Sequence, residues 1–257
     1  MIPYGRQSID AADIDAVVEV LKSDFLTLGP AIPRFEQALA AYCGAKHGVA
    51  ACNGTAALHM ACLALDLGPG DVLWTSAITF VASANCALYC GAEVDFVDID
   101  PRTYSMSVEG LAEKLEAAER EGRLPKVVIP VHMTGQSAEM RPIAELARQY
   151  GFKVVEDASH AVGSSYGNGR VGDCRYSDVA VFSFHPVKII TTGEGGMAMT
   201  NDPELAARMT LLRTHGVTRD VSLFRAPSPG GWYYEQHELG FNYRMTDIQA
   251  ALGFSQL

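Results

Sequence analysis

Val181-Phe182-Ser183-Phe184-His185-Pro186-Val187-Lys188 runs straight into Ile189-Ile190-Thr191-Thr192-Gly193-Glu194-Gly195-Gly196. The first part opens as an apolar strand and the second is a loop of small residues, with one lysine between them. Desolvation disfavours an ammonium ion, so a lysine held among apolar neighbours is a better nucleophile than one in water. The glycines that follow allow backbone to approach a ligand closely. Taken alone, the stretch also reads as a surface lysine on a turn.

Working outward, short apolar runs alternate with amphipathic stretches, the rhythm of an α/β fold around a mainly parallel sheet. Strands are expected at 49–52, 71–75, 93–97, 127–132, 152–157, 179–184 and 196–200. Helices are expected at 55–67, 80–90, 108–121, 140–150 and 203–213, and another starts at 246. The Pro-, Gly- and aromatic-rich segment 221–235 reads as a loop.

Two further strand ends carry chemistry. Asn53-Gly54-Thr55-Ala56-Ala57 joins a strand to a helix, where free N–H groups, the helix dipole and the Thr55 hydroxyl suit a phosphate. An ordinary N-cap has the same composition. Val154-Val155-Glu156-Asp157-Ala158-Ser159-His160 ends a hydrophobic strand in two carboxylates, at the edge where α/β proteins gather their sites. A solvated strand end is the alternative. Neighbouring strand residues face opposite ways, so Glu156 and Asp157 are not expected to share one role. A phosphate cradle, a carboxylate and a nucleophilic lysine, each just after a strand, are together what pyridoxal phosphate requires.

Composition narrows the classes. The 257 residues are 48% hydrophobic and 19% charged, enough apolar material for a sizeable core. A net charge of -10 and a pI near 5.1 argue against nucleic-acid binding. The six cysteines form no CxxC pair and sit mostly in apolar runs, which points to a reduced, cytoplasmic setting without a metal site. Neither a signal peptide nor a membrane-spanning run is evident.

The lysine segment 183–188 with 191–196 resembles that of the DegT/DnrJ/StrS aminotransferases, fold type I enzymes acting on nucleotide-linked keto-sugars. Asn53–Leu58, Thr79–Asn85 and Gly240–Ala251 match further family segments in the same order. The resemblance implies a three-layer αβα fold with a mainly parallel central sheet and pyridoxal 5'-phosphate as cofactor. It divides the chain into an N-terminal segment (1–15), a cofactor-binding large domain (16–240) and the start of a linker helix (241–257). The family's small C-terminal domain would be missing, so a fragment of a longer protein is expected.

Residue roles follow from the same resemblance. Lys188 would carry the cofactor as a Schiff base and move protons between cofactor and substrate. Asp157 would face the pyridinium nitrogen, Phe80 would stack on the ring, and His160 would lie near the ring and its phenolic oxygen. Gly54, Thr55, Ala56 and Ser183 would hold the phosphate. Asn242 would reach the phosphate from the neighbouring subunit of a homodimer with shared active sites. His185, Glu194, His215 and Arg244 lie in matched segments, although Arg213 and Arg244 read equally as structural ion-pair partners. His160, Ser183–Val187 and Ile190–Thr192 resemble the branch that serves pseudaminic acid biosynthesis. That branch takes an amino group from L-glutamate to C4 of a UDP-linked 4-keto-6-deoxy-N-acetylhexosamine. The alternatives are another nucleotide keto-sugar, aminated at C3 or C4 and carried on UDP or dTDP, and a non-catalytic binding protein that kept the fold.

Overall fold

The computed structural model describes residues 5–257, so the reading of residues 1–4 as part of an N-terminal segment lies outside the described residues. The chain opens with α1 (Ala11–Leu21) and α2 (Ala31–Cys43), followed by β1 (His47–Ala51) and α3 (Gly54–Ala64). Next come β2 (Val72–Ser76), α4 (Ala82–Tyr89), β3 (Glu93–Val97), α5 (Val108–Glu121), β4 (Val127–Ile129), α6 (Met140–Tyr150) and β5 (Lys153–Asp157). The short hairpin β6 (Ser165–Tyr166) and β7 (Gly169–Arg170) precedes β8 (Val179–Ser183), β9 (Gly196–Thr200) and α7 (Pro203–Leu212). A second hairpin, β10 (Val217–Thr218) with β11 (Glu235–Gln236), and helix α8 (Asp247–Gln256) complete it.

Seven strands form one sheet in the order β1-β9-β8-β5-β4-β2-β3. From β8 to β3 every pairing is parallel, and β9 runs antiparallel to both its neighbours. The mixed α/β fold with a mainly parallel sheet is therefore the one expected. Side chains alternate across it. Val155 and Val181 face a core shared with Leu58 and Met60 of α3, Cys86 of α4 and Met209 of α7. Val154 faces the opposite layer, with Leu111 and Leu115 of α5 and Ile143 of α6. Phe182 and Met197 face that same side, against Phe35 and Leu39 of α2 and Ala250 of α8.

Element ends are set by caps. Asp10 and Asp13 form a reciprocal capping box at α1, and Thr246 with Gln249 does so at α8. Asp202 caps α7, whose first residue is Pro203. Neither α1 nor α2 was anticipated from sequence. β4 is shorter than the expected 127–132, because Pro130 lacks the N–H that would continue the ladder. Val131 then makes only an isolated parallel bridge to Asp157. Helix α4 starts at Ala82 rather than Phe80, which leaves Phe80 outside the helix. No helix of the described residues is long and apolar enough to cross a membrane.

Candidate active site

The carboxyl ends of β2, β4, β5 and β8 and the amino end of α3 surround a cavity of about 500 Å³. Gly54, Thr55, Phe80, Asp157, His160, Ser183 and Lys188 all line it, with His185 and Glu194 of the lysine loop. Three strand ends far apart in sequence thus deliver their polar residues to one place, because parallel strands all finish at the same edge.

Asn53 caps α3, its side chain accepting the Ala56 N–H at 2.8 Å. Ala56 therefore turns its N–H back onto the cap and does not line the cavity, unlike the expected phosphate donor. Gly54 and Thr55 remain at the open helix end. The turn nests tightly: a Cβ on Gly54 would stand 3.0 Å from Ser183 Cβ, and one on Gly196 would stand 2.6 Å from the Asn53 carbonyl. Glycine at these two positions lets β8, β9 and the helix amino end meet with Ser183 among them.

The lysine loop is closed at its base by Phe184 N–H donating to Gly195 O at 2.9 Å and by Thr192 N–H donating to Phe184 O at 3.0 Å. The Thr191 hydroxyl also donates to Phe184 O, at 3.0 Å. Lys188 is half-buried. Burial holds its amine below the usual lysine range, and the negative charge of Asp157 acts against that shift. His160 is lowered as well, first by burial and then by the charge of Lys188, with Asp157 opposing.

Asp157 is 4% exposed, on the α4 side of the sheet. Its Oδ2 accepts the Ser83 hydroxyl at 2.6 Å and its Oδ1 accepts the Ser159 N–H at 3.1 Å. Glu156, also 4% exposed, points the other way, to His132 Nε2 at 2.7 Å and to the Ser177 hydroxyl. His132 Nδ1 accepts the Ala138 N–H at 3.1 Å, so in the neutral ring Nε2 carries the proton and donates it to Glu156.

Phe80 is 72% exposed at the cavity wall, a large apolar surface facing open space rather than core. Asn242, His215 and Arg244 do not line this chain's cavity. Asn242 instead bridges to Thr214. Arg213 pairs with Glu36 at 2.5 Å and donates to Ala50 O, a structural tie behind β1. Thr79, Ser83 and His132 also belong to the site or its support; Thr79 and Ser83 lie in the matched segment Thr79–Asn85, without a role of their own in the sequence. Thr79 and Ser83 stand four apart at the entry to α4, and His132 follows β4, so spacing and strand-end position were the available signals.

The residues fit pyridoxal phosphate. A helix amino end with Thr55 and Ser183 suits the phosphate, the pinned carboxylate suits a protonated ring nitrogen, and a desolvated amine stands in the same cavity. Among the described residues no cluster of His, Cys, Asp or Glu suits a metal ion, and all six cysteines are free thiols.

Residues 7–257 match the model of the DegT/DnrJ/EryC1/StrS aminotransferase family. The chain is 45% identical over 260 residues to GDP-perosamine synthase of Caulobacter vibrioides, all of this chain against 64% of that protein. It is 40% identical over 263 residues to UDP-4-amino-4,6-dideoxy-N-acetyl-beta-L-altrosamine transaminase of Campylobacter jejuni, again all of this chain against 64%. The chain thus spans 64% of the length of these relatives. The PLP form of a putative sugar aminotransferase of Streptococcus pneumoniae superposes with a TM-score of 0.84 at 29% identity, covering 99% of this chain and 66% of that one. A fold type I scaffold and a relative solved with the cofactor give pyridoxal phosphate as the cofactor here. The chain belongs to the DegT/DnrJ/EryC1/StrS aminotransferase family.

Proposed function

We propose that this chain is the cofactor-binding part of an aminotransferase that passes an amino group from L-glutamate to a keto carbon of a nucleotide-linked sugar. The observation that carries this reading is that Lys188, Asp157 and the amino end of α3 line one cavity. When bound, pyridoxal phosphate supplies an electron sink that lets the amino group leave one carbon and join another.

The chain's own residues do the rest. Lys188 would hold the cofactor through its amine and, once displaced by the incoming amino group, would move a proton between the reacting carbons, its lowered basicity raising the share of free amine. Asp157 keeps the ring nitrogen protonated. Gly54, Thr55 and Ser183 hold the phosphate, and Phe80 offers an apolar plate to the ring. His160, its imidazole held below the usual histidine range, stays largely neutral near the ring. Asn242 completes the phosphate site of a neighbouring subunit in a homodimer. Its place outside its own cavity and the exposure of Phe80 support that arrangement. Residues 16–240 form the large domain and 241–257 begin the linker, its helix α8 still packed on α1 and α2, in a cytoplasmic protein.

Borohydride reduction of the protein with pyridoxal phosphate should leave a pyridoxyl adduct on Lys188, read by peptide mass spectrometry. An unmodified Lys188 refutes the reading. A narrower reading takes the substrate as a UDP-linked 4-keto-6-deoxy-N-acetylhexosamine aminated at C4. The Campylobacter transaminase, named for a UDP-4-amino sugar, supports it, as does His160. The Caulobacter relative is named for a GDP sugar, so the nucleotide is the discriminating variable. A screen of UDP-, GDP- and dTDP-linked keto-sugars with glutamate separates these. Full biological function retained by Lys188→Ala would instead mark a binding protein.

A further inference from the structure

Asp157 does not stand alone in its wall. Ser83, fully buried in the first turn of α4, places its Oγ 2.6 Å from Asp157 Oδ2 and 2.8 Å from Thr79 Oγ1. A carboxylate only accepts, so Ser83 spends its single hydroxyl proton on Asp157. The Thr79–Ser83 bond must then run the other way, with Thr79 donating. The three groups form a directed chain from the cavity wall through Ser83 to the carboxylate.

We propose that Ser83 is a positioning residue for Asp157, fixing the orientation that the ring nitrogen requires, with Thr79 polarising it from the cavity side. This rests on the proposed cofactor chemistry. With Oδ1 held by the Ser159 N–H and Oδ2 by Ser83, both oxygens are anchored and the carboxylate plane cannot turn. Ser83 is sealed from solvent, so water cannot replace its hydroxyl. The same turn is tied to the ring plate: Ser83 N–H donates to Phe80 O at 3.2 Å. One short segment thus sets both the apolar plate and the partner of the ring nitrogen. The charged groups facing Asp157 are Lys188 from the β8–β9 loop and His160 from the turn after β5. His132, beside it on the strand that pairs with β5, turns its ring to Glu156 instead. Polarised hydroxyl chains strengthen each member bond in a low-dielectric interior.

The test uses Ser83→Ala, Ser83→Thr and Thr79→Val in the full-length protein. Three readouts are taken: affinity for pyridoxal phosphate, the pH dependence of the bound cofactor's visible absorbance, and the carboxyl ¹³C resonance of Asp157 without cofactor. Ser83→Ala should weaken cofactor affinity about tenfold, move the Asp157 resonance and move the absorbance profile. Ser83→Thr, which keeps the hydroxyl, should restore all three. Thr79→Val should cost about threefold, since Ser83 keeps its bond to Asp157 but loses its own donor. Should Ser83→Ala fail to fold, Ser83→Cys carries the same expectation, a thiol being a weak donor. An unchanged resonance and affinity in Ser83→Ala, or Ser83→Thr as impaired as Ser83→Ala, overturns the proposal. A parent protein that binds no cofactor, while the Asp157 resonance still responds to Ser83→Ala and recovers in Ser83→Thr, refutes the aminotransferase reading and leaves the positioning role standing.

Discussion

Glu156 and Asp157 end the same strand and are equally buried, yet one belongs to a closed network and the other to an open cavity. Glu156 takes both its partners, His132 and Ser177, from within the protein. Asp157 is pinned by Ser83 and Ser159 but keeps a face toward Lys188 and His160. The pleat alone makes the difference. Two adjacent carboxylates at a strand end are therefore not an acid–base pair. They form one structural anchor and one chemical group, divided by the plane of the sheet.

Substitution should separate them cleanly. Glu156→Ala leaves the buried His132 Nε2–H without an acceptor and frees the part-buried Ser177 hydroxyl, and should cost about 3–5 kcal/mol in urea unfolding. Glu156→Gln, which keeps the shape, should cost only about 1 kcal/mol, because Ser177 can turn its hydroxyl to accept. In neither folded variant should cofactor affinity change by more than about threefold. Asp157→Asn should do the reverse. Cofactor affinity should fall about a hundredfold, roughly 2.8 kcal/mol, while stability changes by less than about 1 kcal/mol. If Glu156→Gln instead weakens cofactor binding as much as Asp157→Asn does, the division across the sheet is wrong.

A smaller effect tests the cradle on the Asp157 side. Gly196→Ala drives a Cβ into the Asn53 carbonyl, backbone that cannot swing aside. A loss of about 1–3 kcal/mol is expected in thermal or urea unfolding. Weaker binding of the cofactor phosphate should accompany it, since Asn53 leads into the Gly54–Thr55 turn.

Much of this division was legible in the sequence. The alternation of apolar runs and amphipathic stretches marks the strands β1 to β5, β8 and β9, since buried parallel strands read as short apolar runs. The opposite facing of Glu156 and Asp157 follows from period two alone. What the sequence hid is non-local. Nothing in Asn53–Ala57 says that Asn53 would claim the Ala56 N–H, because N-cap and phosphate cradle draw on the same residue types. Ser83 lies in a matched segment but shows no role until β5 brings Asp157 beside it, 74 positions away. Helices α1 and α2 are a different case, since Asp10 with Asp13 before one and Gly44 after the other are boundary signals open to reading, and packing against α8 and β1 then fixes their place.

The smallest expected effect is a titration, and it probes the two carboxylates without cofactor. His160 is held below its usual 6.5 by burial and by the charge of Lys188, with Asp157 pulling upward. A folded value below the unfolded one contributes stability that is present above the unfolded value and lost as pH falls through the folded one. His160→Gln should therefore lose less stability than the parent between about pH 7.5 and 5, in urea unfolding followed across that range. The histidine ring resonances give the finer reading. Asp157→Asn removes the upward pull and should move the His160 midpoint lower still, whereas Lys188→Met removes a downward push and should raise it. Glu156→Gln should leave it where it is, because the charge of Glu156 is not among the forces acting on His160. A His160 midpoint that follows Glu156 as closely as Asp157 would mean that the sheet does not insulate its two faces, and that the structural and chemical carboxylates are coupled after all.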